Sequence, residues 1–194
     1  MLYLASRSPR RADLLARLGV QFGLLDLDIP EVRLPGEPPA DYVSRVAREK
    51  AGAGLLKVMS NPSAVVLGSD TEVVLDDEVF GKPTDRDDAR RMLEALSGKT
   101  HEVITAVWLV SAGQELREMS TTRVRFGTLD QAMLDGYLAG DEWEGKAGAY
   151  AIQGAAQAFI AHVEGSPSGV MGLPLFETAH ALRAYGLFAA GGAQ

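Results

Sequence analysis

The chain has no cysteine among its 194 residues. That excludes a disulfide framework, a thiol nucleophile and a cysteine-based zinc site, and it fits a reducing compartment. Histidine is nearly as scarce. With only His101, His162 and His180, a histidine-rich metal site is not supported, and each is read as a packing or surface residue. No apolar run approaches the ~20 residues of a membrane span, and the amino terminus lacks a basic stretch followed by a long apolar core. The expected location is the cytoplasm. Basic residues are outnumbered, 19 Lys and Arg against 26 Asp and Glu, giving a formal net charge of -7. This argues against a nucleic-acid polymer or an anionic membrane as the main partner, but leaves room for a small anionic ligand bound by a local basic cluster.

Several familiar signatures are also missing. Gly98-Lys99-Thr100 looks like the end of a phosphate loop, but Leu93 stands where its first glycine belongs and the preceding segment reads as helix. There is no GxGxxG motif, and His101-Glu102 lacks the second histidine of a zinc-protease helix. In Gly165-Ser166-Pro167-Ser168-Gly169 the third residue is proline, which rules out a serine-hydrolase elbow.

What is present begins at the amino terminus. Leu2-Tyr3-Leu4-Ala5 reads as a buried strand, and Ser8 before Pro9 predicts an N-cap followed by the first helical position, where proline is favoured. In Ser6-Arg7-Ser8-Pro9-Arg10-Arg11, hydroxyls and guanidinium groups gather at a helix entrance whose open N–H groups favour anions. The pattern suits a polyphosphate, or equally a capped helix with solvated arginines.

Further along, Val20 to Leu27 is strand-like, Leu34 to Pro39 is a proline-rich loop, and Val43, Val46, Ala47, Lys50 and Ala51 follow helical spacing. Lys50 thus lies on an apolar face, where it either snorkels or reaches into a cleft. Ala64 to Leu67 and Val73 to Leu75 are β-rich runs around Gly68-Ser69-Asp70-Thr71-Glu72, which places Asp70 beside a glycine turn and partly buried. Thr84 and Asp87 resemble a capping box for a helix through Leu96. Val103 to Val110 and Leu116 to Phe126 read as a strand pair, followed by a helix from Asp130 to Leu138, a glycine-rich loop at 145–150, a strand near Phe159 to Val163 and a closing helix from Phe176 to Tyr185. The expectation is an α/β fold with a mixed sheet, forming one domain over 1–190 with a flexible tail at 191–194.

Ser6, Ser8, Arg10, Arg11, Glu31, Lys50, Asp70, Lys82, Lys99, Lys146 and Gln153 form a set of polar groups at strand ends and loops. Basic residues and hydroxyls would hold phosphate oxygens, while Glu31 and Asp70 could bind a hard cation or activate water. Together they describe phosphoester hydrolysis.

Leu4-Ala5-Ser6-x-Ser8-Pro9-Arg10-Arg11, Gly68-Ser69-Asp70-Thr71, Gly81-Lys82-Pro83, the run from Ser97 to Val103, the run from Lys146 to Gly154 and Gly172-Leu173-Pro174-Leu175 resemble, in order, the motifs of the Maf family of nucleoside triphosphate pyrophosphatases. The resemblance implies a two-lobed mixed twisted sheet flanked by helices, like that of the inosine triphosphate pyrophosphatases, with a cleft between the lobes. It implies a divalent cation (Mg or Mn), a homodimer, and hydrolysis of a nucleotide to its monophosphate and pyrophosphate. Carried onto this chain, it makes Asp70 the proton acceptor, with Ser8, Arg11, Glu31, Lys50 and Lys82 lining the phosphate and metal site. Glu31 and Asp70 are the expected metal ligands. Arg10, Thr71 and Gln153 fall where base choice is set in the dTTP/UTP branch, which the Ala-Ile-Gln-Gly run at 151–154 resembles. The family name also raises a nucleotide-binding regulator of septum formation, acting without turnover. Two departures are Pro30 where an acid is more usual, and Gly169 where an asparagine is usual.

Overall fold

The computed structural model describes residues 1–188; the tail expected at 191–194 lies outside the described residues. Strands β1 (Leu2–Ala5), β2 (Phe22–Leu25), β3 (Val65–Leu75), β4 (Glu78–Phe80), β5 (Thr100–Ser111), β6 (Glu115–Phe126) and β7 (Ile160–Glu164) form one sheet. Its order is β2-β1-β3-β5-β6-β7, with β4 on β3. The β1 pairs are parallel and the rest antiparallel. Helices α1 (Pro9–Arg17), α2 (Pro39–Lys57), α3 (Arg86–Leu96), α4 (Gln131–Leu138), α5 (Pro167–Val170) and α6 (Leu175–Ala184) flank it. This is the expected mixed α/β arrangement. Among the described residues no helix is long and apolar enough to cross a membrane.

The central strand corrects the sequence reading. The two β-rich runs are one continuous strand, β3, because β5 pairs with it from Val65 through Val74. On its other side β1 stops at Ala5 opposite Gly68, and β4 starts only opposite Val73. Ser69 to Glu72 therefore face an open window where β1 has ended and its chain turns into α1, the position at a strand's carboxyl end where α/β sheets bind ligands.

Gly68 is not a turn but a point of close approach. A Cβ there would lie 2.3 Å from the Ala47 carbonyl oxygen and 2.6 Å from the Ala51 nitrogen, both in α2. Strand alternation then sends Asp70 and Glu72 to the α2 side and Ser69 and Thr71 to the other. On that other face two apolar cores form. One contains Leu4, Leu14, Leu67 and Leu109, and the second contains Val73, Leu93, Val103 and Phe126. Between them runs a buried polar band of Ser69, Thr105, Ser120 and Thr122.

The segment from Gly165 to Gly172 lies over this band. Ser69 donates to the Gly172 carbonyl (3.0 Å), Thr105 to the Gly169 carbonyl (2.8 Å) and Thr122 to the Ser166 carbonyl (3.2 Å). A Cβ at position 169 would approach Ser120 Oγ and Ser166 Cβ to 3.2 Å, so glycine here lets α5 lie close on β6. The cap of α3 falls one residue later than expected. Asp85 accepts from Asp88 N (2.8 Å), and Asp88 in turn accepts from Thr84 N (3.1 Å).

His101 is a core residue, as its sequence context implied. It is 1% exposed, packs edge-on against Phe126, and sets Nε2 2.8 Å from the Tyr150 hydroxyl. Burial holds its imidazole at about 4, below the ordinary value. The unfolded chain therefore takes up this proton first as pH falls. The contribution of His101 is complete above about 6.5 and is lost as pH drops toward 4, by up to about 3 kcal/mol. Urea unfolding between pH 7 and 4 is expected to show this acid loss diminished in His101→Phe; equal slopes in both proteins would refute it.

Candidate active site

The window in β3 opens into a cavity of about 620 Å³, within the range of small-ligand sites. It gathers residues from 5 to 172. Ser6, Ser8, Arg10, Arg11, Glu31, Lys50, Asp70, Thr71, Lys82, Lys146 and Gln153 all line it. Lys99 does not. It sits in the turn after α3, where its carbonyl accepts from Phe126 N (3.0 Å).

The entrance of α1 is built as the sequence implied, with one difference. Ser8 occupies the N-cap position with extended backbone, and its side chain makes no capping bond. Ser6 Oγ accepts from Ser8 N at 3.1 Å instead. Arg11 is anchored in the wall, donating from Nε to the Gly172 carbonyl (2.8 Å) and from Nη2 to Thr71 Oγ1 (3.1 Å). Thr71 in turn donates to Thr105 Oγ1 (3.0 Å), whose own proton goes to the Gly169 carbonyl, so its hydroxyl fixes Arg11 against the sheet. Arg7 leaves the cluster for the rim, where it pairs with Asp26 (2.5 Å) and Asp28 (3.4 Å). Among the described residues the Arg10 side chain makes no hydrogen bond. Burial and the neighbouring Arg11 lower its pKa, and burial followed by Arg10 lowers that of Lys146.

Opposite these cations lies an acidic floor. Lys50, on the inner face of α2 and 8% exposed, donates to Glu31 Oε1 (2.6 Å) and Asp70 Oδ1 (2.7 Å). It reaches into the cleft rather than out to solvent. Lys82 donates to Glu31 Oε2 (2.5 Å). Burial would raise the Glu31 carboxyl, but the charges and hydrogen bonds of Lys50 and Lys82 outweigh it and hold it at about 2. Glu31 is therefore a poor proton acceptor. Asp70 keeps Oδ2 buried and unpartnered.

Glu72 was not singled out from the sequence, yet it lines the cavity two residues beyond Asp70. It is 6% exposed, Oε2 has no partner, and burial, with Asp70 and Glu31 nearby, pushes its carboxyl up to about 8. The acid-x-acid spacing within a β-rich run was the available signal, since alternate residues share one face. Tyr150, read from the sequence only as part of the glycine-rich loop, also lines the cavity. Gln153 is exposed at the rim, on a loop tied by Gly154 N to the Ala151 carbonyl (3.0 Å) and by Ala155 N to Glu142 (2.8 Å).

Among the described residues no three histidine or carboxylate side chains are preassembled into a metal cage. A magnesium-type ion does not need one, because it binds through one or two carboxylates and completes its shell with water and phosphate oxygens. The free Asp70 Oδ2 meets that requirement.

The chain is similar to known proteins over almost its whole length. The chain is 58% identical over 188 residues to the dTTP/UTP pyrophosphatase of Xanthomonas campestris pv. campestris, covering 96% of this chain and 99% of that protein. It is 53% identical over 186 residues to the nucleoside triphosphate pyrophosphatase of Xylella fastidiosa (strain 9a5c), covering 95% and 98%. Among solved structures, the Ham1 protein of Staphylococcus aureus aligns at 10% identity and a TM-score of 0.47 over 64% of this chain and 71% of that one. The model of the Maf family, described as Maf-like protein, matches residues 1–185. With that match over nearly its whole length, the chain belongs to the Maf family.

Proposed function

We propose that this chain hydrolyses dTTP and UTP to the nucleoside monophosphate and pyrophosphate, with the triphosphate lying across the cavity. The observation that carries the reading is the unpartnered Asp70 Oδ2 on a floor faced by Arg10, Arg11, Lys82 and Lys146. Such an arrangement pairs a proton acceptor with cations for phosphate oxygens. The Xanthomonas and Xylella relatives carry the corresponding activity in their names.

In this reading Asp70 Oδ2 takes the proton from water as its oxygen bonds to the α-phosphorus. The bond from that phosphorus to the bridging oxygen breaks, and pyrophosphate leaves. Arg11 and the hydroxyl of Ser8 bind phosphate oxygens, and Lys82 turns from Glu31 to the departing group. Lys50 orients Asp70 through Oδ1, leaving Oδ2 free. A magnesium or manganese ion, when bound, neutralises phosphate charge and acidifies water. Asp70 would help hold such an ion as well as serving as the proton acceptor, its carboxylate having more lone pairs than Lys50 occupies. Glu31, whose two oxygens each accept one lysine bond, would join in holding the cation through a remaining lone pair.

Base choice is assigned to Gln153 and Arg10, with Thr71 setting the pocket through Arg11. A carboxamide accepts from uracil N3–H and donates to O4. A cytoplasmic location and a homodimer belong to the same proposal. A regulator that binds nucleotide without turnover is disfavoured, because the carboxylate assigned as base, the lysine bonded to it and the cations assigned to phosphate line one cavity.

The test is product analysis with UTP, dTTP and CTP in magnesium or manganese. Pyrophosphate with monophosphate is expected, and Gln153→Glu should cost UTP and dTTP about 1–3 kcal/mol more than CTP through the lost donor. Orthophosphate as primary product, or binding without turnover, would overturn the function. Equal losses for UTP and CTP would remove Gln153 from the base pocket.

A further inference from the structure

We propose that Glu72 is a second carboxylate of the cation site, supplying a ligand beside Asp70. The inference rests on the cation reading above and concerns a residue that reading does not use. Asp70 and Glu72 alternate along β3 and so share the face turned toward α2. Both fall in the stretch of β3 where β1 has ended and β4 has not begun, and both line the cavity. Each is more than nine-tenths buried, and each has one sealed oxygen, Asp70 Oδ2 and Glu72 Oε2, with no hydrogen-bond partner.

Such oxygens are costly to bury unsatisfied, and neither lysine is bonded to Glu72. Lys50 is committed to Glu31 and Asp70, and Lys82 to Glu31. Of these three floor acids, Glu72 alone makes no ion pair among the described residues. The turn carrying Lys82 passes close by, since a Cβ on Gly81 would lie 4.0 Å from Glu72 Oε2. Two anionic oxygens, one from each carboxylate, leave the remaining positions of an octahedral ion to water and phosphate, which is the division of ligands that magnesium and manganese favour.

The experiment measures Mn²⁺ binding to the nucleotide-free full-length protein by electron paramagnetic resonance of the free ion, with Glu72→Gln and Asp70→Asn beside the unaltered chain. Each substitution is expected to weaken Mn²⁺ binding about tenfold or more. Glu72→Gln should also raise the metal-free Tm while shrinking the further rise that Mn²⁺ produces. A residue that only fills space would shift the first and leave the second. Unchanged Mn²⁺ affinity in Glu72→Gln with weakened binding in Asp70→Asn would overturn the assignment of Glu72 and leave the cation site standing. Unchanged affinity in both would overturn the cation site as well. Should Glu72→Gln fail to fold, Glu72→Asp keeps the charge but shortens its reach. Weaker Mn²⁺ binding by that variant supports the assignment, and unchanged binding refutes it.

Discussion

Replacing Asp70 with asparagine is expected to lower the rate of pyrophosphate release about 100-fold or more while leaving the fold in place. The substitution is nearly isosteric, and the amide oxygen can still accept from Lys50. Lys50 also keeps its 2.6 Å bond to Glu31, so no buried cation is stranded. What disappears is the basicity of Oδ2, the atom free to take a proton from water. Like-charge pressure on Glu72 falls as well, because Asp70 is one of the groups holding that carboxyl up. The measurement is steady-state turnover with UTP alongside thermal unfolding. Undiminished turnover in a folded variant would remove Asp70 from the chemistry.

Gly68→Ala is expected to cost about 3 kcal/mol of stability and, in whatever folds, most of the activity. The added carbon would sit 2.3 Å from the Ala47 carbonyl oxygen and 2.9 Å from Ala51 Cβ. Backbone on both sides cannot yield without α2 lifting from β3. The same helix carries Lys50, whose 2.7 Å bond to Asp70 depends on that close approach. Packing and chemistry should therefore fail together, as read by urea unfolding and by turnover under conditions where the variant is folded. A variant as stable and active as the parent would show that α2 and β3 are not held at this distance.

Much of the fold was legible locally. The strand before Ser6, the start of α1 at Pro9, the helix through Lys50 and the β5–β6 pair each follow from a short pattern of apolar spacing or a capping residue. The break assigned around Asp70 was misplaced for an equally physical reason. Gly68 looks like a turn in one dimension, whereas its lack of a side chain is required by a helix more than ten residues earlier in the chain. The offset in the α3 cap is smaller: Thr84, Asp85, Asp87 and Asp88 all carry capping side chains, and only the backbone path shows which one closes the turn.

The amino-acid sequence by itself determined the chemical inventory. It dictated no thiol, few imidazoles, a basic helix entrance after β1, and acids and lysines in an order that marks the family. It also decided the alternation that puts Asp70 and Glu72 on one face, because period-two geometry is a property of the strand alone. Only the tertiary structure decided which of these groups meet. Arg7 and Arg11 are equivalent in the sequence, but one is drawn to Asp26 at the rim and the other to Gly172 in the wall. Lys50 joins Glu31 to Asp70 because α2 lies against Gly68, and Glu72 lines the cavity because β1 stops at Ala5 while β3 continues. Such convergence depends on where strands end and how closely layers approach, and those distances are set by the packing of the whole sheet, not by any single segment.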